Sequence, residues 1–413
     1  MSGHQGSLTS PTHALPRDNW SRLALKLVSA IRCGTINIVL TDGTHHRISA
    51  SHPGPEATVI LRSGLAIRRL IAGGTIGWAE AYIDGQWETP DLRAVMAIAA
   101  VNEAELRPLL MGNRWTRTLN TLVHHLHANT RTGSKRNIMA HYDLGNAFYA
   151  EWLDPTMTYS SALFTSPEQD LKEAQLAKIH RLCKAIDLRP GMKLLEIGCG
   201  WGAFAEVAAR EYGASVVGVT LSPAQLAYGQ DRIARAGLQD KVELRLQDYR
   251  DVTESFDRVA SIEMFEAVGE KFWPVYFSTL RERLRPGGVA GLQTITISDR
   301  LFPSYRKSAD FIQRHIFPGG MLPSPQRLSE EVAKAGLAWR DAFWFGQDYA
   351  RTLARWNDRF QSVWPRMMGN TRLSRMPTDV RFKRLWEYYL LYCETGFSAG
   401  WTDVGQILLA RPV

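Results

Sequence analysis

Lys193-Leu194-Leu195-Glu196-Ile197-Gly198-Cys199-Gly200-Trp201-Gly202 is the stretch that decides the fold of this chain. An apolar run enters three glycines spaced two apart, and a helical pattern follows from Ala203. A buried strand, a glycine-rich turn and the start of a helix together form the usual cradle for a nucleotide-like ligand. The glycines allow the backbone to approach a ligand without a Cβ clash. An ordinary strand-to-helix turn is the alternative interpretation.

The acidic residue in this stretch indicates which ligand the turn binds. Glu196 lies at the end of the strand, just before the first glycine. A carboxylate there repels phosphate, but it attracts a ligand that carries an ammonium group and a cationic centre. The sequence therefore favours S-adenosylmethionine (SAM) over ATP or NAD.

Strands alternate with helices around this turn. The predicted strands are Lys193–Ile197, Ser215–Thr220, Val242–Leu246, Arg258–Ile262 and Val289–Ile297. The predicted helices are Leu171–Ile186, Ala203–Glu211, Pro223–Ala236 and Trp273–Leu284. This order predicts an α/β fold of the Rossmann-like type, with a parallel sheet covered by helices on both faces. Ligands of such sheets bind at the carboxyl ends of the strands.

The ends of the second and third strands carry polar groups suited to a nucleoside. Thr220 and Gln225 can hydrogen-bond a ribose diol without a charge, while Ser222 is also a candidate helix N-cap. After the third strand, an aromatic ring and polar side chains are placed to hold an adenine ring by its face and edge. These side chains belong to Asp248, Tyr249 and Arg250.

Two carboxylates, Glu263 and Glu266, follow the fourth strand. Burying them beside a cofactor pocket is costly unless they meet cations or take part in chemistry. The alternative for each is a glutamate in a surface salt bridge.

Composition limits the class of protein. A chain of 413 residues with 45% hydrophobic residues predicts two or more folded domains. We find neither an apolar run long enough to cross a bilayer nor a signal-peptide pattern. The four cysteines lack paired spacing, which favours free thiols in a reducing cytoplasm over disulfides or a zinc site.

The chain is basic, with a formal net charge of +8. Nucleic acid and an anionic membrane surface are both candidate partners for a basic protein. No nucleic-acid-binding motif is present and the basic residues are spread along the chain, so we do not expect a nucleic-acid partner.

The first third of the sequence predicts a smaller domain. We expect a disordered tail over residues 1–18, an N-terminal accessory α/β domain over 19–127, a linker over 128–137 and a catalytic domain over 138–413. The predicted elements of the accessory domain are a helix from Trp20 to Ile31, strands at Thr35–Leu40, Ala57–Leu61 and Leu65–Leu70, and helices at Gly77–Ile83, Leu92–Val101 and Glu105–His127. His124, His125 and His127 are surface histidines in this interpretation, because their spacing matches no familiar metal site.

Taken together, the motifs of the second part of the chain resemble a known family, the cyclopropane fatty acid synthases. The resemblance rests on the glycine turn, on Thr220-Leu221-Ser222, Gln247-Asp248-Tyr249-Arg250 and Met264-Phe265-Glu266, and on further motifs near residues 141–146, 159–162, 316–320 and 346–349. These motifs extend from about residue 137 to the C-terminus. Tyr82-Ile83-Asp84-Gly85, with Trp87, is similar to the bacterial members that carry an extra N-terminal domain.

The resemblance implies that SAM donates a methyl group to the cis double bond of an acyl chain in a membrane phospholipid. A proton is then lost from the new methyl and a cyclopropane ring closes. In the family the base is a bound bicarbonate ion, and by resemblance Glu266 and Tyr349 would hold it together with the backbone amide of Ile295. Tyr159 and Ser160 resemble a loop that closes over SAM. Cys393 matches a cysteine sometimes assigned as catalytic, although packing is the alternative role.

Two positions depart from the family pattern. Ser161 replaces a cysteine, and Gln293 stands where the family usually has a histidine. Glutamine cannot relay a proton near neutral pH. A hydride shift followed by proton loss would give a methylene-branched chain instead, and a reductase partner would convert that into a methyl branch. We therefore keep both products open, with transfer to a soluble small molecule as a further alternative.

Residues 300–325 form a long apolar insertion after the fifth strand. We expect them either to line a tunnel for the acyl chain or to form the core of a lid. The resemblance also implies a cytoplasmic protein bound peripherally to the inner face of the membrane, and a homodimer formed through the N-terminal domain.

Overall fold

The computed structural model describes residues 18–110, 144–368, 377 and 379–413. The chain divides into two compact units, Met1–Asn113 and Arg114–Val413. The predicted linker at 128–137, the three histidines at 124, 125 and 127, and the predicted tail up to residue 17 lie outside the described residues. Asp18 is the N-cap of the first helix, and its carboxylate accepts a hydrogen bond from Ser21 N at 2.8 Å.

The N-terminal unit is built on a four-stranded sheet. Its strands are β1 (Cys33–Val39), β2 (His45–Ser49), β3 (His52–Leu61) and β4 (Trp87–Glu88), in the order β2-β1-β3-β4. Strands β1 and β3 are parallel, and the other two pairs are antiparallel. The helices of this unit are α1 (Asn19–Val28), α2 (Leu65–Ile83), α3 (Leu92–Val101) and α4 (Glu103–Leu110). The mixed α/β character matches the prediction.

One predicted strand of this unit is wrong. Leu65–Leu70 forms the first part of helix α2, whose buried residues Ala66, Ile67 and Leu70 have helical spacing. The helix is interrupted at Gly74, which has φ +61°. Because the helix is kinked here, its apolar residues form two short runs in the sequence, and neither run is long enough to show the helical period. A Cβ at Gly77 would lie 2.1 Å from the carbonyl oxygen of Arg69, so the chain after the kink approaches too closely for any other residue.

The second unit contains a seven-stranded sheet in the order β10-β11-β9-β8-β5-β6-β7. Its strands are β5 (Lys193–Ile197), β6 (Ser215–Thr220), β7 (Val242–Leu246), β8 (Phe256–Ile262), β9 (Leu284–Ile297), β10 (Ala338–Trp344) and β11 (Thr402–Ala410). Strands β5 to β9 are parallel, and β11 joins β9 and β10 by antiparallel pairing. The five predicted strands are confirmed, while β10 and β11 were not predicted.

Helices cover both faces of this sheet. Successive residues of β5 point to opposite faces: Leu194 belongs to a buried cluster with Leu182 and Val207, whereas Leu195 belongs to one with Trp273 and Phe277. The helices are α5 (Asn146–Trp152), α6 (Leu171–Ala185), α7 (Ala203–Tyr212), α8 (Pro223–Arg235), α9 (Trp273–Arg283), α10 (Phe302–Tyr305), α11 (Phe311–His315), α12 (Pro325–Lys334), α13 (Gly346–Met367) and α14 (Val380–Ser398). The predicted Rossmann-like fold is confirmed.

None of the helices in the described part of the chain has both the length and the apolar character that crossing a bilayer requires. All four cysteines carry free thiols, as predicted.

Candidate active site

The glycine turn after β5 adopts a conformation that requires glycine. Gly198 and Gly200 have φ angles of +85° and +50°. A Cβ at Gly198 would lie 2.8 Å from the Met264 side chain, whereas nothing lies within 4 Å of the Cβ position at Gly200. The turn therefore packs tightly on one side and leaves the other side open. Trp201 is fixed next to it, because its indole N–H donates to the Asn146 side chain at 2.8 Å.

The open side of the turn faces a cavity of about 450 Å³. The predicted cofactor residues that line this cavity are Tyr159, Ser160, Glu196, Gly198, Gly200, Trp201, Thr220, Gln225, Asp248, Tyr249 and Arg250. The predicted catalytic residues that line it are Glu266, Ile295, Tyr349 and Cys393. Gly202, Ser222, Ser161 and Gln293 are outside this lining. The carboxyl ends of β5, β6, β7, β8 and β9 thus contribute to one site.

The two cofactor residues outside the lining have structural roles. Ser222 is the N-cap of α8, and its hydroxyl accepts from Gln225 N at 3.3 Å. Gly202 has φ +84° and begins α7, where a Cβ would lie 3.4 Å from the Cα of Gly229.

The side chains that were predicted to contact the nucleoside are hydrogen-bonded to one another in pairs. Thr220 donates to the Gln225 side-chain oxygen at 3.1 Å at the end of β6. Arg250 holds Asp248 through two hydrogen bonds of 2.8 and 2.6 Å, so their opposite charges compensate each other. Tyr249 is partly buried, and burial raises the pKa of its hydroxyl to about 12.

Glu196 is a buried carboxylate suited to a cationic ligand. Its exposed fraction is 3%, and its Oε2 atom has no hydrogen-bond partner among the described residues. Burial raises its pKa to about 8, against the opposing effects of the Ala205 backbone N–H and of Lys178. An ammonium group supplied by a ligand would satisfy this oxygen and its charge. The residues around the glycine turn therefore fit SAM.

The second carboxylate site differs from the arrangement that the family resemblance implies. Glu266 Oε1 accepts from Ile295 N at 2.5 Å and from the Thr294 hydroxyl at 2.9 Å. Tyr349, Ser161 and Gln293 do not join it there. Its pKa is raised to about 8 by burial and by the charge of Glu263.

Glu263 binds Tyr349, which was expected to hold a bicarbonate ion, together with Ser161 and Gln293, the two positions that depart from the family pattern. Its Oε1 accepts from Ser161 N at 2.9 Å and from Gln293 Nε2 at 2.8 Å. Its Oε2 accepts from the Tyr349 hydroxyl at 2.6 Å. Because these donors are already bound to a carboxylate of the chain, the residues present do not fit a bicarbonate ion.

Lys178 is a residue of this site that the sequence analysis missed. Its side chain is fully buried in α6, lines the cavity and donates to the Ser160 hydroxyl at 2.7 Å. Burial lowers its pKa to about 8, and the charges of Glu263, Asp154 and Glu196 oppose this. A signal was present: Lys178 lies four residues from both Ala174 and Leu182, on the buried face of the predicted helix.

Tyr159 and Cys393 both line the cavity, and they differ in their hydrogen bonding and acidity. The Tyr159 hydroxyl shares a 2.6 Å hydrogen bond with the Tyr389 hydroxyl of α14. The Cys393 thiol has a pKa raised by burial and by Asp310, so it is a poor nucleophile. The structure is thus in keeping with a packing role for this cysteine.

The insertion after β9 contributes residues both to the cavity lining and to the buried core beside it. Cavity-lining residues include Leu301, Tyr305, Ile312, Phe317, Met321 and Leu322. Phe302, Phe311 and Ile316 are buried outside this lining. The insertion is also tied to the turn that carries Glu266, because Met321 N donates to the backbone carbonyl of Glu266 at 2.8 Å.

Comparisons with known proteins agree with this geometry. Residues 129–407 match the family described as mycolic acid cyclopropane synthetase. The tuberculostearic acid methyltransferase UfaA1 of Mycobacterium tuberculosis is 38% identical, over 91% of this chain and 88% of that protein. The cyclopropane-fatty-acyl-phospholipid synthase of Escherichia coli K12 is 34% identical, over 97% of this chain and 96% of that protein.

A solved structure has the same fold. The mycolic acid cyclopropane synthase CmaA1, complexed with SAH (S-adenosylhomocysteine) and CTAB, matches with a TM-score of 0.61 and 32% identity. The match covers 67% of this chain and 98% of that one.

Proposed function

Because this chain belongs to the mycolic acid cyclopropane synthetase family, and is a SAM-dependent methyltransferase that transfers carbon to lipid acyl chains, we propose that its substrates are the cis-unsaturated acyl chains of membrane phospholipids. The observation that carries the proposal is that three features line one and the same cavity. They are the glycine turn, the carboxylates Glu263 and Glu266, and the apolar insertion.

The cofactor end of the cavity would hold SAM through its charged and polar groups. Glu196 would pair with the ammonium group, Thr220 and Gln225 with the ribose, and Tyr249 with the adenine. When bound, SAM supplies an electrophilic methyl group. Tyr159 and Ser160, together with the buried Lys178, would close this end against water.

The acyl chain would lie against the apolar insertion. Removing about a dozen CH₂ groups from a bilayer into water would cost roughly 10 kcal/mol, at about 0.8 kcal/mol per group. Leu301, Ile312, Phe317, Met321 and Leu322 line the cavity and would replace the lipid environment. An apolar wall also keeps water from the carbocation that forms when the double bond takes the methyl group.

Loss of a proton from the new methyl group then gives the product, and a cyclopropane ring is the first candidate. A methylene branch, formed after a hydride shift, is the second candidate. It is favoured by the similarity to a protein named tuberculostearic acid methyltransferase and by Ser161 and Gln293, which depart from the family pattern. In that case a separate reductase would be needed to complete a methyl branch.

Access to the lipid would come from peripheral binding. The net charge of +8 suits the anionic inner face of a cytoplasmic membrane, where each nearby Lys or Arg contributes about 1 kcal/mol. A homodimer formed through the N-terminal unit is part of the same proposal.

Product analysis tests the proposed function. The full-length protein is incubated with methyl-labelled SAM and vesicles of cis-unsaturated phospholipid, and the fatty acid methyl esters are analysed by mass spectrometry and NMR. We expect label in the acyl chain and a mass gain of one CH₂ unit. Upfield cyclopropane protons would identify the ring, and vinylic protons of a terminal methylene would identify the branch. Absence of label from the lipid, with turnover of a water-soluble acceptor, would refute the proposal.

A further inference from the structure

The reaction proposed above must release a proton in a dry site. The cavity offers four buried or partly buried carboxylates besides the Asp248–Arg250 pair: Glu196, Glu263, Glu266 and Asp310. Glu196 faces the cofactor turn, and Asp310 caps α11 by accepting from Gln313 N at 2.8 Å. The proton acceptor is therefore one of two residues, Glu263 or Glu266.

These two glutamates are partly buried, and desolvation raises the pKa of both; because they also repel each other, charging both is costly. The negative charge is more stable on the glutamate that receives more hydrogen bonds and lies near a positive charge. Glu263 receives three hydrogen bonds and the favourable charge of Lys178, whereas Glu266 receives two and the unfavourable charge of Glu263. Glu266 is therefore the neutral acid of the pair and Glu263 is the carboxylate.

The backbone of Glu263 is also set for this position. Its φ angle is +48°, in the left-handed region that non-glycine residues rarely occupy. Its N–H donates to the carbonyl of Gln293 at 2.8 Å, which holds it against the end of β9. A strained conformation maintained by its surroundings is typical of a residue whose side chain must reach one particular place.

A chain of hydrogen bonds orients the Gln293 amide towards Glu263. Arg181 Nη1 donates to Gln406 Oε1 at 2.8 Å, and Gln406 Nε2 donates to Gln293 Oε1 at 3.0 Å. Since a guanidinium only donates, each amide in the chain must present its oxygen towards Arg181. Gln293 therefore presents its NH₂ group to Glu263, which stabilises the carboxylate.

We propose that the Glu263 carboxylate takes the proton from the newly transferred methyl group, in the place that the family gives to a bicarbonate ion. The methyl C–H bond breaks, and its electron pair closes the ring or, after the hydride shift, forms the methylene double bond. The proton moves to Glu263, which becomes a neutral acid and releases it to solvent before the next turnover. This inference rests on the proposed function.

The test compares activity with and without bicarbonate. The full-length protein, SAM and unsaturated phospholipid vesicles are assayed in buffer freed of carbon dioxide, and again after bicarbonate is added. We expect the same rate in both buffers. A wild-type rate that falls without bicarbonate and returns on its addition would overturn the proposal, whereas labelling of no acyl chain in either buffer would refute the proposed function itself.

Variants extend the test. Glu263→Gln keeps the size of the side chain and should lose about 100-fold or more in turnover, as expected for removal of a general base. Binding of SAH by calorimetry should remain, which shows that the cofactor site has folded. Glu282→Gln, the same change at an exposed helix position, should be neutral. A Glu263→Gln variant with wild-type turnover would also overturn the proposal.

Glu263→Gly removes the carboxylate at a backbone conformation that glycine tolerates. The donors from Ser161, Gln293 and Tyr349 would then face an empty volume the size of a small anion. We expect bicarbonate or formate to restore part of the lost turnover. A variant that binds SAH but is equally slow with and without these anions would overturn the assignment of this place to the Glu263 carboxylate.

Discussion

Three glutamates line the same cavity, one buried (Glu196) and two partly buried (Glu263 and Glu266), and their surroundings differ. Glu196 keeps an unpaired oxygen beside the glycine turn, Glu263 is surrounded by donors, and Glu266 is held by Ile295 N and Thr294. The cost of burying each charge is thus met by a ligand, by the protein, or by protonation. This difference is the basis for assigning one to the cofactor, one to proton transfer and one to a neutral role.

Glu266→Gln tests the neutral role. An amide is nearly isosteric with a neutral carboxylic acid and can accept from Ile295 N and Thr294. We expect its turnover to fall by less than about tenfold, compared with about 100-fold or more for Glu263→Gln. Steady-state turnover of the two variants, with SAH affinity as the control, checks this. Equal losses in both variants would contradict the assignment of the proton to Glu266.

The pKa of Glu196, raised to about 8, predicts a pH dependence of cofactor binding. The ammonium group of SAM requires the charged carboxylate. Below the pKa, protons compete with the ligand, so we expect SAH affinity to rise with pH from 6 to about 8 and then level off. Calorimetry across this range measures it. Glu196→Gln should bind more weakly and lose this dependence, and a variant that keeps the same pH profile would contradict the role of Glu196.

At the scale of elements, helix α6 reaches the cavity from one side of the sheet. Lys178 projects its ammonium group into the cavity region, while Arg181, three residues on, begins the amide chain through Gln406. Arg181 is itself placed by Phe343 of β10, with its guanidinium carbon 3.8 Å from the ring centre. Strands β10 and β11, which the sequence analysis did not predict, therefore help to position the site.

Arg181→Met tests this positioning role. Without the guanidinium, the Gln406 and Gln293 amides can rotate and withdraw the donor from Glu263. Glu263 is also faced by Lys178, Glu266 and Tyr349, which stay in place. Losing a donor raises the pKa of the carboxylate, so we expect the acidic limb of the kcat/KM profile to move to higher pH. Arg235→Met, at an exposed ion pair of α8, is the control. If the acidic limb of the kcat/KM profile is unchanged in Arg181→Met, the hydrogen bonds that start at Arg181 do not stabilise the Glu263 carboxylate.

The kinked helix α2 offers a matched pair of glycine variants. Gly77→Ala places a Cβ against the Arg69 carbonyl and should destabilise the N-terminal unit by about 1–3 kcal/mol, as overpacking does. At Gly73 nothing lies within 4 Å of the Cβ position, so Gly73→Ala should be neutral or stabilising by up to about 1 kcal/mol. Thermal unfolding of both variants measures the difference. Equal melting temperatures would show that the backbone adjusts at the kink.

Whether an element could be predicted from the sequence depended on its surroundings. Strands β5, β6 and β7 were predicted with their observed bounds, because β5 and β6 are short, mainly apolar runs and β7 alternates apolar and charged residues, each between clear turn or helix signals. Strand β10 pairs only with β11 and carries Arg340 and Asp341, so it lacks the apolar signature of a central strand. In the site, Tyr349 was grouped with Glu266 but binds Glu263, because the direction of the Glu263 side chain depends on its unusual φ angle.

At the scale of the whole molecule, the proposed function makes opposite demands on the lipid. The basic surface would attract a headgroup, and the cavity would require the acyl chain to leave the bilayer. We expect binding to anionic vesicles to weaken as salt is raised, because exposed charges are screened. Sedimentation with anionic and neutral phospholipid vesicles over a salt series checks this. Binding that is equal for both vesicle types and insensitive to salt would show that charge does not guide the protein to its substrate.

The hydrogen bond from Met321 N to the carbonyl of Glu266 joins the wall of the proposed acyl-chain site to the turn that carries one of the cavity's carboxylates. Contact with a long substrate and alignment of the reacting groups are thus mechanically linked. Truncated acyl chains, which fill less of the wall, should therefore suffer in the chemical step as well as in affinity. Such an enzyme would discriminate against short chains by failing to turn them over, even at saturating concentration.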